Sequence, residues 1–146
     1  MISFIKRLEP YFAIWIPYLF VGWMALATYL TLVPADLLTS AAKVGNPKVG
    51  HVILFGGWTL LFGLLLIIYF RRQNISVILI VAAGIAFGAF IEFLQYMMPF
   101  SRSGTLADIG FNTIGAVMAG GIIYMYKKTL HERALSDSHT SAPKDS

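Results

Sequence analysis

Seven side chains hold the chemistry this sequence could perform: Lys48, His51, Glu92, Gln95, Arg102, Asp108 and Asn112. They come in spaced pairs. Lys48 and His51 are three residues apart, Glu92 and Gln95 three, Asp108 and Asn112 four, so each pair shares a face if its segment is helical. Five of the seven fall between Ile91 and Gly121, where two apolar runs meet at a short polar turn. A carboxylate in or beside lipid-compatible sequence is costly and marks a functional site. Histidine exchanges protons near neutral pH, so His51 with Glu92 and Asp108 makes a candidate acid–base set. Arg102 offers a planar fork suited to phosphate or carboxylate. With Lys48, Gln95 and Asn112 it makes a candidate ligand-binding set.

Each residue also has a plainer reading. Glu92 and Asn112 could be structural bonds between helices. Thr105-Leu-Ala-Asp108 matches a capping box, and an acid suits the first turn of a helix. Arg102 could anchor the chain at a membrane edge. Gly84 and Gly88 lead to Glu92 at four-residue spacing, a smooth strip suited to close helix packing; Gln95 and Tyr96 are expected to continue that face. One His, two carboxylates and an Asn could ligate zinc or a harder ion, but no ligand-spacing motif such as H-E-x-x-H occurs, so a metal stays a minor alternative and no residue is assigned to one. No glycine-rich nucleotide loop or serine nucleophile motif is present, and no cofactor is expected.

Long apolar elements must position these groups. The 146 residues are 58% hydrophobic and 12% charged, against about a quarter charged in soluble domains, and the mean hydropathy is +0.73. Four membrane helices are expected, at about 11–33, 49–70, 75–98 and 106–126, each near the roughly 20 residues that cross a bilayer. These runs are too long and too uniformly apolar for barrel strands. The fold expected is therefore an all-α bundle of four transmembrane helices in one domain over residues 1–133, followed by a polar, serine-containing tail over 134–146 expected to be disordered. Lys6 and Arg7 followed by an apolar run resemble a signal peptide. The run continues through Trp23, Tyr29 and Leu32, so a retained helix is expected.

The net charge of +4 does not point to nucleic acid, because the cations flank apolar runs. Eight of them, Lys6, Arg7, Arg71, Arg72, Lys127, Lys128, Arg133 and Lys144, fall on one side of the four-span plan, and Lys43, Lys48 and Arg102 on the other. The positive-inside rule then puts both termini in the cytoplasm and the seven chemical residues at the outer face. There is no cysteine, hence no disulfide or thiolate chemistry.

Glu92-x-x-Gln95, a following Pro, Arg102, Asp108, Asn112 and Gly115 resemble the signature of the VanZ-like family of small bacterial membrane proteins. Lys48-Val-Gly-His51-Val, followed by Phe55 and Gly57, resembles that family's second-helix start, with Pro47 where the family often has an acid. The similarity runs from about Lys48 to Tyr126. It implies a multi-pass protein of the bacterial inner membrane, in a family whose named member is linked to resistance to glycopeptide antibiotics, teicoplanin above all.

The expected function is recognition, at an outward-facing polar site, of an anionic cell-envelope lipid or a lipid-linked cell-wall precursor. Membrane lipids are the expected partners. An intramembrane enzyme is the alternative, with His51 as base, Glu92 or Asp108 as its orienter or the acid, and Arg102 as anion clamp. A proton-linked transporter is a third reading, weakened by the dry inner halves of the helices.

Overall fold

The computed structural model describes residues 2–33, 46–98 and 105–140. Four α-helices follow one another: α1 (Ile2–Leu32), α2 (Pro47–Leu64), α3 (Val77–Met97) and α4 (Leu106–Thr140). A π-helical turn, Leu65–Tyr69, carries α2 onward. All four are long and apolar enough to cross a membrane. Among the described residues there is no strand, so the chain is an all-helical, multi-pass membrane protein.

Local chemistry sets the helix starts. Asn46 caps α2 by accepting from the Lys48 N–H at 3.0 Å, and Pro47 fills the first turn, where its missing donor costs nothing. Ser76 caps α3 through the Ile78 N–H at 3.2 Å. Thr105 accepts from the Asp108 N–H at 3.2 Å and gives its hydroxyl proton to Asp108 Oδ2 at 2.6 Å, which begins α4.

In lipid, apolar burial does not draw helices together, so close packing and buried polar bonds must do so. α2 and α4 meet where Gly56 faces Gly115. A Cβ on Gly56 would lie 3.0 Å from the Gly115 carbonyl oxygen, and one on Gly115 would strike the Val52 carbonyl. Gly84 of α3 admits Thr59 of α2, and Gly88 admits Asn112 of α4. α1 packs outside these three. Trp23 lies over Gly57, and its Nε1 donates to the Leu54 carbonyl at 2.8 Å. The outer faces carry exposed apolar side chains such as Ile78, Phe93, Met118 and Tyr124, as lipid contact requires.

Two sequence expectations change. The helical run does not give way to a tail at Ala134: α4 continues to Thr140. Between Tyr126 and Thr140 there is no Gly or Pro, Lys127 to Leu135 is mostly good helix formers, and Lys128 and Glu132 pair at 3.8 Å one turn apart. Tyr96 does not share the buried face of Glu92 and Gln95. It is 76% exposed while Gln95 is 6% exposed, because the inward strip runs through Gly84, Gly88, Ile91, Glu92 and Gln95.

Candidate functional site

The site is built where the start of α2, the last two turns of α3 and the first two turns of α4 come together. Gly88 makes room there. With no Cβ on α3 at that level, the Asn112 side chain of α4 slides across it; an added Cβ would lie 2.9 Å from the Asn112 Cβ. Asn112 is 1% exposed and Glu92 3% exposed.

Three side chains from three helices close a knot. Asn112 Nδ2 donates to Glu92 Oε1 at 3.0 Å. His51 Nδ1 lies 2.9 Å from Asn112 Oδ1 and 3.3 Å from Glu92 Oε1. Both neighbours of Nδ1 are acceptors, so Nδ1 carries the proton and donates. The amide orientation follows from the same logic: turned over, Asn112 would set its oxygen against the carboxylate and its NH2 against a ring N–H. The knot thus fixes the imidazole's tautomer and leaves Nε2, which has no hydrogen-bond partner among the described residues. Phe55, one turn on, stacks against the ring with centroids 6.0 Å apart and planes 13° apart. Glu92 Oε2 is buried and has no hydrogen-bond partner among the described residues.

Lys48 stands at the exposed rim, one turn before His51, with its ammonium 5.5 Å from the Phe111 ring centroid. Asp108 is half-buried and committed to the α4 cap, close enough for its charge to act on Glu92. Gln95 points elsewhere: its Nε2 donates to the Thr31 carbonyl of α1 at 2.6 Å, tying α3 to the outer helix. Arg102 lies outside the described residues, as does Pro99 of the preceding turn. Among the described residues, no three His, Cys, Asp or Glu side chains gather as a metal site would need.

The arrangement contains partners that residue spacing does not reveal. Thr31 contributes only a carbonyl. Phe111 is one apolar residue among many until α4 is seen to lean on the start of α2. Trp58 is 7% exposed and stacks on Phe87 with centroids 4.4 Å apart, so it continues the aromatic column behind His51 and Phe55. Phe55 alone had a signal, its four-residue spacing from His51.

The model of the family described as VanZ/LLP1 matches residues 5–127. The chain belongs to the VanZ/LLP1 family. That match covers most of α1, all of α2 and α3, and α4 as far as Lys127, so it takes in the knot and every candidate site residue. Among curated proteins and solved structures nothing matches the chain. For this member of the VanZ/LLP1 family, the chemistry of the site therefore rests on its own geometry.

Proposed function

We propose that this VanZ/LLP1-family protein recognises the anionic head group of a cell-envelope lipid or lipid-linked wall precursor at the outer membrane face. The observation that carries the reading is the Glu92–Asn112–His51 knot, with Lys48 one turn away on the His51 helix. The buried acid and amide are consumed in holding an imidazole. The exposed groups beside it are a cation and the free Nε2 edge. A phosphate or diphosphate oxygen accepts from the Lys48 ammonium, and it accepts from Nε2 once that nitrogen takes up a proton and the ring becomes imidazolium, with Nδ1–H still facing Asn112 and Glu92; charge-assisted bonds of this kind are about twice as strong as neutral ones. The lipid's tail lies along the exposed apolar faces of α2 and α4. On this reading Lys48 and His51 touch the ligand, Glu92 and Asn112 position His51, Gln95 and Asp108 brace the helices, and Arg102 is a second clamp. Residence in a bacterial inner membrane with both termini cytoplasmic, and a link to glycopeptide resistance, belong to the same proposal and are supported by the family and the lysine and arginine distribution.

The test is binding of farnesyl diphosphate, a short polyprenyl diphosphate, to purified protein in zwitterionic nanodiscs. Lys48→Ala and Arg102→Ala should each weaken binding by about tenfold, the loss of one charged hydrogen bond. Unchanged affinity in both variants would refute recognition at this site.

A second reading, catalysis, is favoured by one feature. A ring whose Nδ1 is held by a buried acid–amide pair has the base-and-orienter form of many acid–base enzymes. It predicts that His51→Ala retains binding but abolishes product formation from a polyprenyl diphosphate. A binder loses affinity in that variant and releases no product in either protein.

A further inference from the structure

The knot sits at the first turn of α2. The far end of the same run, which covers 23 residues from Pro47 to Tyr69, lies about 27 Å along the helix from His51 and opens onto the opposite membrane face. Three independent features gather there. The helix widens into the π turn Leu65–Tyr69, closed by Phe70 N–H to Leu65 O at 3.0 Å and Arg72 N–H to Leu66 O at 2.9 Å; π turns recur at functional sites. The next residue, Arg71, takes φ of 52°, a left-handed conformation that glycine or asparagine adopts at lower cost. A cavity of about 550 Å³ opens between the α2–α3 connection and α4, with Asn74, Lys127, Lys128 and His131 on its polar side and Ile67 and Leu130 on its apolar side. A second space of about 590 Å³, lined by Arg71 and Arg72, shares Gln73 and Asn74 with it.

We infer that this end holds a second ligand site, for the phosphodiester head group of an anionic membrane lipid. The wall chemistry selects the class. Cations and an amide ring the mouth, no carboxylate lines either cavity, and apolar residues continue toward the membrane interior, as a lipid with one charged end requires. Lys127 is already oriented, because its ammonium donates to the Ile75 carbonyl at the start of α3 and keeps two N–H bonds for a ligand. Glu132 reaches Lys128 at 3.8 Å, but both side chains are over 60% exposed, and a screened pair of this kind leaves the cation available. Arg71 and Arg72, at the left-handed turn, line the adjoining space, which shares Gln73 and Asn74 with the first cavity. This site stands independently of the His51 reading, with which it shares no residue. Under the positive-inside assignment it faces the anionic cytoplasmic leaflet.

The experiment uses the full chain, released from mixed phosphatidylglycerol and phosphatidylcholine and weighed by native mass spectrometry. Wild type should retain phosphatidylglycerol preferentially. Each cation removed should reduce that preference about fivefold, so Arg72→Ala with Lys128→Ala should lose about 25-fold while keeping wild-type helix content. Both side chains are exposed, and neither makes a hydrogen bond that holds the helices, so the pair should fold. Gly121→Ala, which adds a methyl in open space and lines neither cavity, should leave the preference unchanged. Absence of a preference in wild type, or its survival in the double variant, overturns the site. Loss of the preference in Lys48→Ala instead moves the lipid to the knot and also overturns it. A parallel arm adds millimolar inorganic phosphate: retention of the lipid supports a head-group site, and displacement assigns the cations to free phosphate.

Discussion

At the scale of the residue, the account turns on Asn112. Its amide is the bridge that lets an acid from α3 govern a ring on α2, donating to one and accepting from the other. Asn112→Ala removes both bonds and deprives the buried Glu92 carboxyl of its closest donor. The expected loss is about 1–3 kcal/mol of stability, read as a lower thermal midpoint in detergent, together with loss of farnesyl diphosphate binding. His51→Ala should cost less stability than Asn112→Ala, because the ring is 16% exposed and sits at the edge of the knot. A larger stability loss for His51→Ala would show that the ring is a core element rather than a ligand contact. The pairings His51 with Lys48 and Glu92 with Gln95 were legible as spacings along each helix. The expectation that a buried Asn112 takes its partners from neighbouring helices is met by Glu92 and His51. What spacing left undetermined was rotation about each helix axis. Gln95 lies one turn from Glu92 on the same strip, yet it turns to Thr31 of α1, a partner with no polar side-chain signature of its own in that bond.

At the scale of the element, glycine decides how near the helices come. Gly115 meets the backbone of α2 directly, and a backbone cannot swing aside as a flexible side chain can. Gly115→Ala should therefore cost about 1–3 kcal/mol by overpacking and should loosen the knot three residues away. Gly121, on the same helix, has nothing within 4 Å of an added Cβ. Gly121→Ala should be neutral or stabilise the helix by up to about 1 kcal/mol. Thermal unfolding of the two variants side by side checks this, and equal effects would contradict the described α2–α4 crossing. Helix number and approximate spans were legible because apolar length is the dominant signal in a membrane chain. The far end of α4 was not: a falling hydropathy after Tyr126 reports exit from lipid, while a helix already formed continues until a breaker stops it, and no Gly or Pro occurs before Thr140.

At the scale of the whole molecule, the proposed topology has four crossings, with the start of α1 and the end of α4 on the cytoplasmic face and the knot on the other. The absence of native cysteine makes this testable without background. A single cysteine at Ser136 should react with an impermeant maleimide only from the cytoplasmic side of oriented vesicles, and one at Lys48 only from the opposite side. Labelling of both from one side would contradict the arrangement. The two ends of the bundle then divide the chemistry: a histidine clasped by acid and amide at one, a basic mouth around a widened helical turn at the other. The measurement that bears most directly on the central claim is the imidazole nitrogen spectrum of protein labelled with ¹⁵N-histidine, with the His51 signal assigned by its disappearance in His51→Asn. The account predicts a proton fixed on Nδ1, a Nε2 resonance that moves on addition of farnesyl diphosphate, and loss of the fixed Nδ1–H in Asn112→Ala. A His51 ring that averages freely between tautomers, in wild type and in Asn112→Ala alike, and ignores the diphosphate would contradict it.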